Sequence, residues 1–130
     1  MIRYIDTSAY LKLLVTEAES PALRADLQTA RIAGHRIVSS ILLETELRRA
    51  AQRLGLAVAD IGTELTKIDI ISADDATFIR AGNIPGPTLR SLDALHLATA
   101  LEAGATEVYT YDTRQADAAI QAGLTVLAPS

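Results

Sequence analysis

The chain opens with MIRYIDTSAYLKLL, residues 1–14, and this stretch decides how the rest of the sequence is interpreted. Residues 2–5 predict a short buried strand, and apolar residues resume at helical spacing from Ala9 onward. Asp6 stands between the two elements, at the point where the strand should end. It either caps the following helix or forms one wall of a metal site, depending on which other acids lie beside it.

Strands and helices continue to alternate along the chain. Further strands are predicted where the sequence reads HRIVSS, IDIIS, EVYTYD and LTVLAP, with helices between them. The predicted N-caps of three helices are serines: Ser20, Ser39 or Ser40, and Ser91. Strands separated by helices of this length predict an α/β fold with a mostly parallel sheet covered on both faces, in one domain over residues 1–130.

Composition narrows the class of protein further. The chain has 130 residues, 49% of them apolar, and no run of the eighteen or so apolar residues that a membrane span needs. Because there is no cysteine, disulfides and thiolate metal sites are excluded. No cationic stretch followed by an apolar stretch begins the chain, so we expect no secretory signal. These features predict a soluble, intracellular protein with a cytoplasmic location and no membrane contact.

The charge distribution is uneven. A formal net charge of −4 argues against binding nucleic acid through bulk positive charge. Half of the 12 basic residues, however, fall between positions 24 and 53, and all of these are arginine: Arg24, Arg31, Arg36, Arg48, Arg49 and Arg53. Arginine is the better residue for bidentate contact with phosphate, although a solvated helical face explains the same cluster.

Four acids are candidates for a shared site. Asp6 and Asp112 each follow a predicted strand, and the carboxyl ends of parallel strands meet at one edge of a sheet, where ligands bind. Asp93 lies in the first turn of the helix that reads SLDALHLATA, and Glu46 lies inside ILLETELRRA. Each acid has a purely structural alternative. Asp6 and Asp112 suit helix N-caps, Asp93 suits the positive end of a helix dipole, and Glu46 could face solvent.

Glu46 fits its structural alternative least well. It lies at helical spacing from a set of apolar residues: Leu42, Leu43, Leu47 and Ala50. The neighbouring Glu44 is easier to explain, since Arg48 stands four residues on as an ion-pair partner. A carboxylate against an apolar face needs a partner, and a metal ion is one such partner.

Carboxylates that converge repel one another, so a cation must hold them together at neutral pH. Hard oxygen ligands, without cysteine or a histidine cluster, favour Mg²⁺ or Mn²⁺. The two histidines are His35 and His96. His96 follows Asp93 by three residues, and we interpret it as a packed, hydrogen-bonded histidine in preference to half of a catalytic dyad. A bound cation would also allow an acidic pocket to accept a phosphate-rich substrate.

Four segments, in this order, resemble a PIN domain: YIDTSAYLKLL, VSSILLETELRRA, SLDALHLATALEAGA and VYTYDTRQADAAIQAGLTVLAP. More narrowly, the chain resembles VapC-type toxins of bacterial type II toxin–antitoxin (VapBC) pairs. The resemblance implies a three-layer α/β/α PIN-like fold and a metal-dependent endoribonuclease that uses Mg²⁺, with Mn²⁺ as a substitute. It implies structured RNA, tRNA or rRNA, as substrate, and a VapB-type antitoxin as partner, in a homodimer or a toxin–antitoxin hetero-oligomer.

The resemblance also assigns residues. The catalytic and metal-binding acids fall on Asp6, Glu46, Asp93 and Asp112, with Glu46 chosen over Glu44. Thr7 or Ser8 is expected to assist metal or water. Substrate contacts are expected from Ser8, Arg48 and Arg90, with Arg49 and Arg53 as further candidates for phosphates. Asp117 departs from the family pattern; it could be a fifth outer ligand or face solvent on the last helix, and we expect the second because most helical Asp residues are exposed.

Other interpretations stay open from the sequence. The chain could be a non-catalytic α/β binding module whose acids are helix caps or ion-pair partners. A phosphoaspartate receiver or phosphatase is disfavoured, because Asp6 lacks a DxD pattern and no lysine follows a late strand suitably. Several aliphatic residues between positions 11 and 31 suit either the core or a partner surface: Leu11, Leu14, Val15, Leu23 and Leu27.

Overall fold

A computed structural model describes the backbone of residues 1–130 and all side chains except those of Val58, Asp60 and Glu64. The described backbone forms five strands and seven helices. In chain order these are β1 Ile2–Ile5, α1 Thr7–Leu14, α2 Ser20–Ile32, β2 Arg36–Ser40, α3 Leu42–Leu54, α4 Val58–Leu65, β3 Asp69–Ile71, α5 Asp75–Gly82, α6 Ser91–Glu102, β4 Glu107–Tyr109, α7 Thr113–Gln121 and β5 Thr125–Leu127.

The five strands form one sheet in the order β3-β2-β1-β4-β5. The four pairings are all parallel, with Ile2 opposite Arg36 and Ile5 opposite Tyr109. The chain builds outward from β1 to β3 on one side and then returns to the other side of β1 with β4. The direction of winding therefore switches between β1 and β4, which is where ligands bind in open parallel sheets.

Alternate side chains of the strands enter two different cores. Ile5, Ile37 and Tyr109 pack with residues of α1 to α4 on one face. Tyr4, Val38 and Val108 pack with residues of α6 and α7 on the other face. Because successive residues of a strand point to opposite faces, short strands suffice to bury both sides. The expected three-layer α/β/α architecture with a parallel sheet is confirmed.

The expectation that Ser39 or Ser40 opens the third helix was wrong. Both residues belong to β2, and α3 begins at Leu42. The Ser39 hydroxyl donates to the carbonyl of Ile5 at 2.6 Å, so it links β2 to β1. The Ser40 hydroxyl still accepts the backbone N–H of Leu42 at 3.1 Å, which satisfies one free donor at the helix start from outside the helix.

The expected caps at Ser20 and Ser91 were also wrong. Each serine is the first residue of its helix, and the capping positions are Glu19 and Arg90, neither of which caps with its side chain. The hydroxyl of Ser20 instead accepts the backbone N–H of Glu17 at 2.9 Å. Serine prefers caps because its hydroxyl bonds nearby backbone, and here that bond forms to the loop before the helix.

The aliphatic residues between positions 11 and 31 divide between core and boundary. Leu23 and Leu27 are fully buried and belong to the core. Leu11 and Leu14 are half-buried and pack against the same core, and Val15 is half-buried beside them. Nowhere in the described backbone is there a helix with the length and apolar character that a bilayer crossing requires.

Substituting alanine at two glycines, Gly55 and Gly62, should change the free energy of unfolding in opposite directions. Gly55 ends α3 in the left-handed region, with φ +69°, where a β-carbon is strained even without a steric neighbour. Gly55→Ala should therefore lower the free energy of unfolding by roughly 1–2 kcal/mol. Gly62 lies inside α4 with open space around it, so Gly62→Ala should raise it by roughly 0.5–1 kcal/mol. Urea unfolding of both variants tests this, and equal signs would contradict the backbone assignment.

Candidate active site

Asp6 lies directly beyond the carboxyl end of β1 and is 4% exposed. Its backbone N–H donates to the carbonyl of Tyr109 at 3.1 Å, which places it beside the end of β4. Its Oδ1 accepts the backbone N–H of Ala9 at 3.0 Å, so Asp6 is the N-cap of α1. The capping interpretation is therefore confirmed. A carboxylate has a second oxygen and about four lone-pair positions, so capping is compatible with a second role.

Hydroxyl groups join the ends of β1 and β4 around Asp6. Ser8 Oγ donates to Asp6 Oδ1 at 2.7 Å and accepts the backbone N–H of Tyr111 at 3.0 Å. Burial raises the pKa of Asp6, and hydrogen bonds from Thr110, Ser8 and the Ala9 N–H partly offset that rise. Ser8 therefore holds Asp6 in place, and its suggested contact with substrate stays a prediction.

Asp112 is the N-cap of α7, the helix that follows β4. Its Oδ1 accepts the backbone N–H of Gln115 at 3.0 Å, which confirms the capping interpretation here as well. The Gln115 side chain is buried, and its Nε2 donates to the backbone carbonyl of Asp93 at 3.1 Å. Gln115 thus joins the start of α7 to the start of α6, and so brings Asp112 and Asp93 to one place.

Asp93 is half-buried in the first turn of α6, and its pKa depends on the other acids. Burial raises its pKa, and the negative charges of Asp112 and Glu46 raise it further. His96 and Arg90 act in the opposite direction. Three of the four predicted acids, drawn from α3, α6 and α7, therefore interact electrostatically across the end of the sheet.

Glu46 occupies a different environment from Asp93. Its Oε1 accepts Thr7 Oγ1 at 2.8 Å and also pairs with Nε2 of His96. Burial would raise the pKa of Glu46, but the hydrogen bonds that it accepts from His96 and Thr7 outweigh burial and lower the pKa. Glu44 has its own partner, an ion pair of 2.9 Å with Arg48, as expected.

The site fits a hard divalent cation by its donor chemistry. The acids offer carboxylate oxygens only, and the mutual repulsion felt by Asp93 is what a cation would relieve. Among the described side chains, no three acidic or histidine groups converge closely enough to hold one ion between them. Mg²⁺ is commonly held by only one or two carboxylates, with water and substrate phosphate completing its shell.

The remaining residues that the sequence analysis named lie around the acids. Arg90 is exposed at the start of α6, close enough for its charge to lower the pKa of Asp93. Arg49 and Arg53 line a groove of about 330 Å³ that also includes Thr7 and Glu46. Asp117 is exposed on α7, as expected from its helical position.

Sequence reasoning did not identify two residues that organise this site. Gln115 carried a detectable signal, because an acid followed three residues later by glutamine is a capping-box spacing. Tyr4 was assigned only to the strand core. A fully buried tyrosine needs a hydrogen-bond partner for its hydroxyl, but the sequence does not indicate which residue supplies it. His96 is buried and hydrogen-bonded, as expected.

Residues 3–121 match the family model of the PIN domain. The chain belongs to the PIN-domain family. Within that family this PIN domain is similar to the VapC ribonucleases along its whole length. Ribonuclease VapC46 of Mycobacterium tuberculosis is 41% identical over 130 residues, which cover 98% of this chain and 97% of the relative. Ribonuclease VapC35 of the same organism is 40% identical over 131 residues, covering 97% and 96%.

Solved structures show the same fold at low sequence identity. The sarcin-ricin loop cleaving toxin VapC20 of Mycobacterium tuberculosis aligns with a TM-score of 0.75 and 14% identity, covering 98% of this chain and 99% of that chain. VapBC2 from Rickettsia felis, bound to a DNA fragment from its promoter, aligns with a TM-score of 0.76 and 14% identity over the full length of both chains. These likenesses support the PIN architecture.

Removing one charge from the PIN site should stabilise the metal-free protein. The folded-state pKa of Asp93 is raised, so its contribution to stability is full at low pH and is lost as the pH rises through that pKa. Asp93→Asn should therefore raise the melting temperature at pH 7, by roughly 1–2 °C because solvent screens the repulsion at a half-buried group, and the difference should vanish near pH 3. Calorimetry with a chelator present measures both.

Asp26→Asn is the matched control for that experiment. Asp26 accepts hydrogen bonds from Tyr109 at 2.5 Å and Arg3 at 3.4 Å, away from the acids. Its substitution should lower the melting temperature at pH 7. A wild-type protein that is as stable as Asp93→Asn at pH 7 would show that the acids do not repel one another.

Proposed function

We propose that this PIN-domain chain is a metal-dependent endoribonuclease and the toxin of a type II toxin–antitoxin pair. The observation that carries the proposal is that Asp112 and Glu46 both raise the pKa of Asp93, while Asp6 lies at the switch point of the sheet. Similarity to VapC ribonucleases along the whole chain supports the reaction class.

The residues proposed to hold one or two cations, directly or through water, are Asp6, Glu46, Asp93 and Asp112, and the proposed ion is Mg²⁺, with Mn²⁺ as a substitute. When bound, such an ion lowers the pKa of a coordinated water and stabilises negative charge on phosphate oxygens. Hydrogen bonds within the protein hold the carboxylates in place. The caps at Asp6 and Asp112 fix two carboxylates on the backbone, and Gln115 sets α6 against α7.

The proposed reaction needs no side-chain nucleophile. Water attacks the scissile phosphorus in line, the bond to the ribose 3′ oxygen breaks, and the products carry a 5′-phosphate and a 3′-hydroxyl. The acids are held fixed before substrate arrives, which lowers the entropic cost of aligning the reacting groups. Mapping the ends of cleaved RNA checks this chemistry, because attack by the ribose 2′-hydroxyl would leave a cyclic phosphate instead.

The proposed substrate is structured RNA, of tRNA or rRNA type. A structural neighbour, VapC20, is a sarcin-ricin loop cleaving toxin, and sequence-specific proteins read RNA mostly at loops with unpaired bases. The proposed inhibitor is a VapB-type antitoxin, as in the VapBC2 complex, and a cytoplasmic location fits such a pair. Homodimers or toxin–antitoxin hetero-oligomers are the assemblies we expect.

Flanking phosphates are proposed to follow the groove that Arg49 and Arg53 line. Thr7 and Glu46 line the same groove, so it adjoins one of the proposed cation ligands. The guanidinium of Arg48 is already paired with Glu44 at 2.9 Å. A substrate phosphate would compete with Glu44 for it, so we expect a weaker substrate contact from Arg48. Arg90 stays a candidate on the opposite side, next to Asp93.

A non-catalytic binding module is the second candidate function. The observation that favours it is that Asp6 and Asp112 are helix caps, which is enough to explain both residues without a metal. It does not explain why Asp93 stands where two other acids raise its pKa. Divalent-metal binding separates the two functions.

Removing any of three acids should abolish cleavage. Asp6→Asn, Glu46→Gln and Asp93→Asn should each slow cleavage of structured RNA in Mg²⁺ by roughly 100-fold or more, because each variant holds less well the cation that stabilises charge on the phosphate. Asp117→Asn, the same change at an exposed acid of α7, should cut at the wild-type rate. Mn²⁺ should raise the melting temperature of the wild type but not of Asp6→Asn. Wild-type cleavage by all three acid variants would exclude the proposed mechanism.

The double variant Arg49→Ala/Arg53→Ala should raise KM several-fold with little change in kcat, because both arginines contact phosphates that flank the reacting one. The slope of log affinity against log salt should become shallower by about 1–2. Arg36→Ala is the control, since Arg36 pairs with Asp69 at 2.9 Å at the amino end of β2. An unchanged salt slope in the double variant would remove this groove from the substrate path.

A further inference from the structure

His96 is a buried histidine that the proposed chemistry leaves unexplained. It is 2% exposed on α6, one turn beyond Asp93. Its ring meets that of Tyr4 edge-on, with centroids 5.7 Å apart and an interplanar angle of 73°. An apolar side chain would fill this space without the cost of burying a polar ring, so the hydrogen bonds of His96 are the feature that needs an explanation.

A continuous series of hydrogen bonds runs through His96 from the sheet to Glu46. The backbone N–H of Ser40 donates to the Tyr4 hydroxyl at 3.1 Å. The same hydroxyl lies 2.5 Å from Nδ1 of His96. On the other side of the ring, Nε2 of His96 pairs with Oε1 of Glu46.

The direction of each bond follows from the available protons. Burial raises the pKa of Tyr4 far above its ordinary value, so the phenol keeps its proton. Since the hydroxyl already accepts from Ser40, that proton is available to Nδ1 of His96. An ionised carboxylate only accepts, so Nε2–H donates to Glu46. We assign the chain of donation as Ser40 to Tyr4, Tyr4 to His96, and His96 to Glu46.

Glu46 is thereby held by two other elements of the fold. Thr7 of α1 and His96 of α6 both donate to Oε1, and Tyr4 of β1 sets the ring of His96. Among the side chains that the structure describes, none makes a hydrogen bond to Oε2. A glutamate loses considerable rotamer freedom when it is ordered, so two donors on one oxygen restrain it before any ligand arrives.

We propose that Tyr4, acting through His96, is a positioning residue that orients Glu46 so that its free oxygen, Oε2, is presented to the cation. The proposal rests on the function proposed above. It explains why two polar aromatic groups lie fully buried beside the site, and it makes the orientation of an acid on α3 depend on the strand that also ends in Asp6. Outer partners of metal ligands commonly change metal affinity by roughly 10–100-fold when they are removed.

The first test removes one hydroxyl group. Tyr4→Phe should weaken Mn²⁺ binding, measured by titration calorimetry, by roughly 10-fold or more. Tyr109→Phe is the matched control, since it removes the hydroxyl of another fully buried tyrosine, on the neighbouring strand, that bonds Arg3 and Asp26. The control should bind Mn²⁺ like the wild type. Both variants are measured well below their melting temperatures, so that loss of fold does not enter.

A double-mutant cycle tests whether Tyr4 acts through His96. His96→Gln keeps a side-chain N–H near the position of Nε2, whereas His96→Ala removes it, so the glutamine variant should retain more Mn²⁺ affinity than the alanine variant. In the His96→Ala background, Tyr4→Phe should cause no further loss. Additive losses would overturn the proposed route, and so would wild-type affinity in Tyr4→Phe.

The outcomes separate this proposal from the proposed function. If the wild type neither binds Mn²⁺ nor cuts RNA, the proposed function fails and the positioning role fails with it. If the wild type binds and cuts, and Tyr4→Phe does both equally well, the nuclease stands and only the positioning role is overturned.

Discussion

Repulsion between carboxylates gathered at one edge of a parallel sheet is the constraint on which the rest of this site depends. The strand order brings the ends of β1 and β4 together, and the helices that follow or cover them each add an acid. Backbone N–H groups, hydroxyls and one histidine offset part of the charge, yet the pKa of Asp93 still rises because of burial and of Asp112 and Glu46. Such a site is selected for binding, at a cost in stability.

The acids are not equivalent, because their local partners differ. Asp6 is buried, and burial raises its pKa although three donors surround it. Glu46 is also partly removed from water, but the hydrogen bonds from His96 and Thr7 lower its pKa. One edge of the sheet therefore holds a carboxylate that favours the charged state and others that resist it. This asymmetry gives each acid a different response to an approaching cation.

Local sequence patterns predicted the elements better than their caps. The first strand and the helix caps at Asp6 and Asp112 were readable from the sequence, because strand patterns and Asp caps are local effects. Ser20 and Ser91 misled the prediction, since a serine hydroxyl can also bond a preceding loop or lie at a helix start without capping. The four acids were identified by the family resemblance together with the topology of strand ends.

The order of amino acids is enough to establish the alternation of strands and helices, the absence of thiolate ligands, and the placement of Asp6 and Asp112 beyond strands that share an edge. These follow from side-chain chemistry and from the fixed geometry of parallel strands. The contact of Tyr4 of β1 with His96 of α6, and that of His96 with Glu46 of α3, arise only in the folded protein. Tyr4 and His96 are separated by 92 positions in the sequence, and Glu46 and His96 by 50. Such pairs become neighbours only when both cores pack, and no local sequence pattern indicates that they will meet.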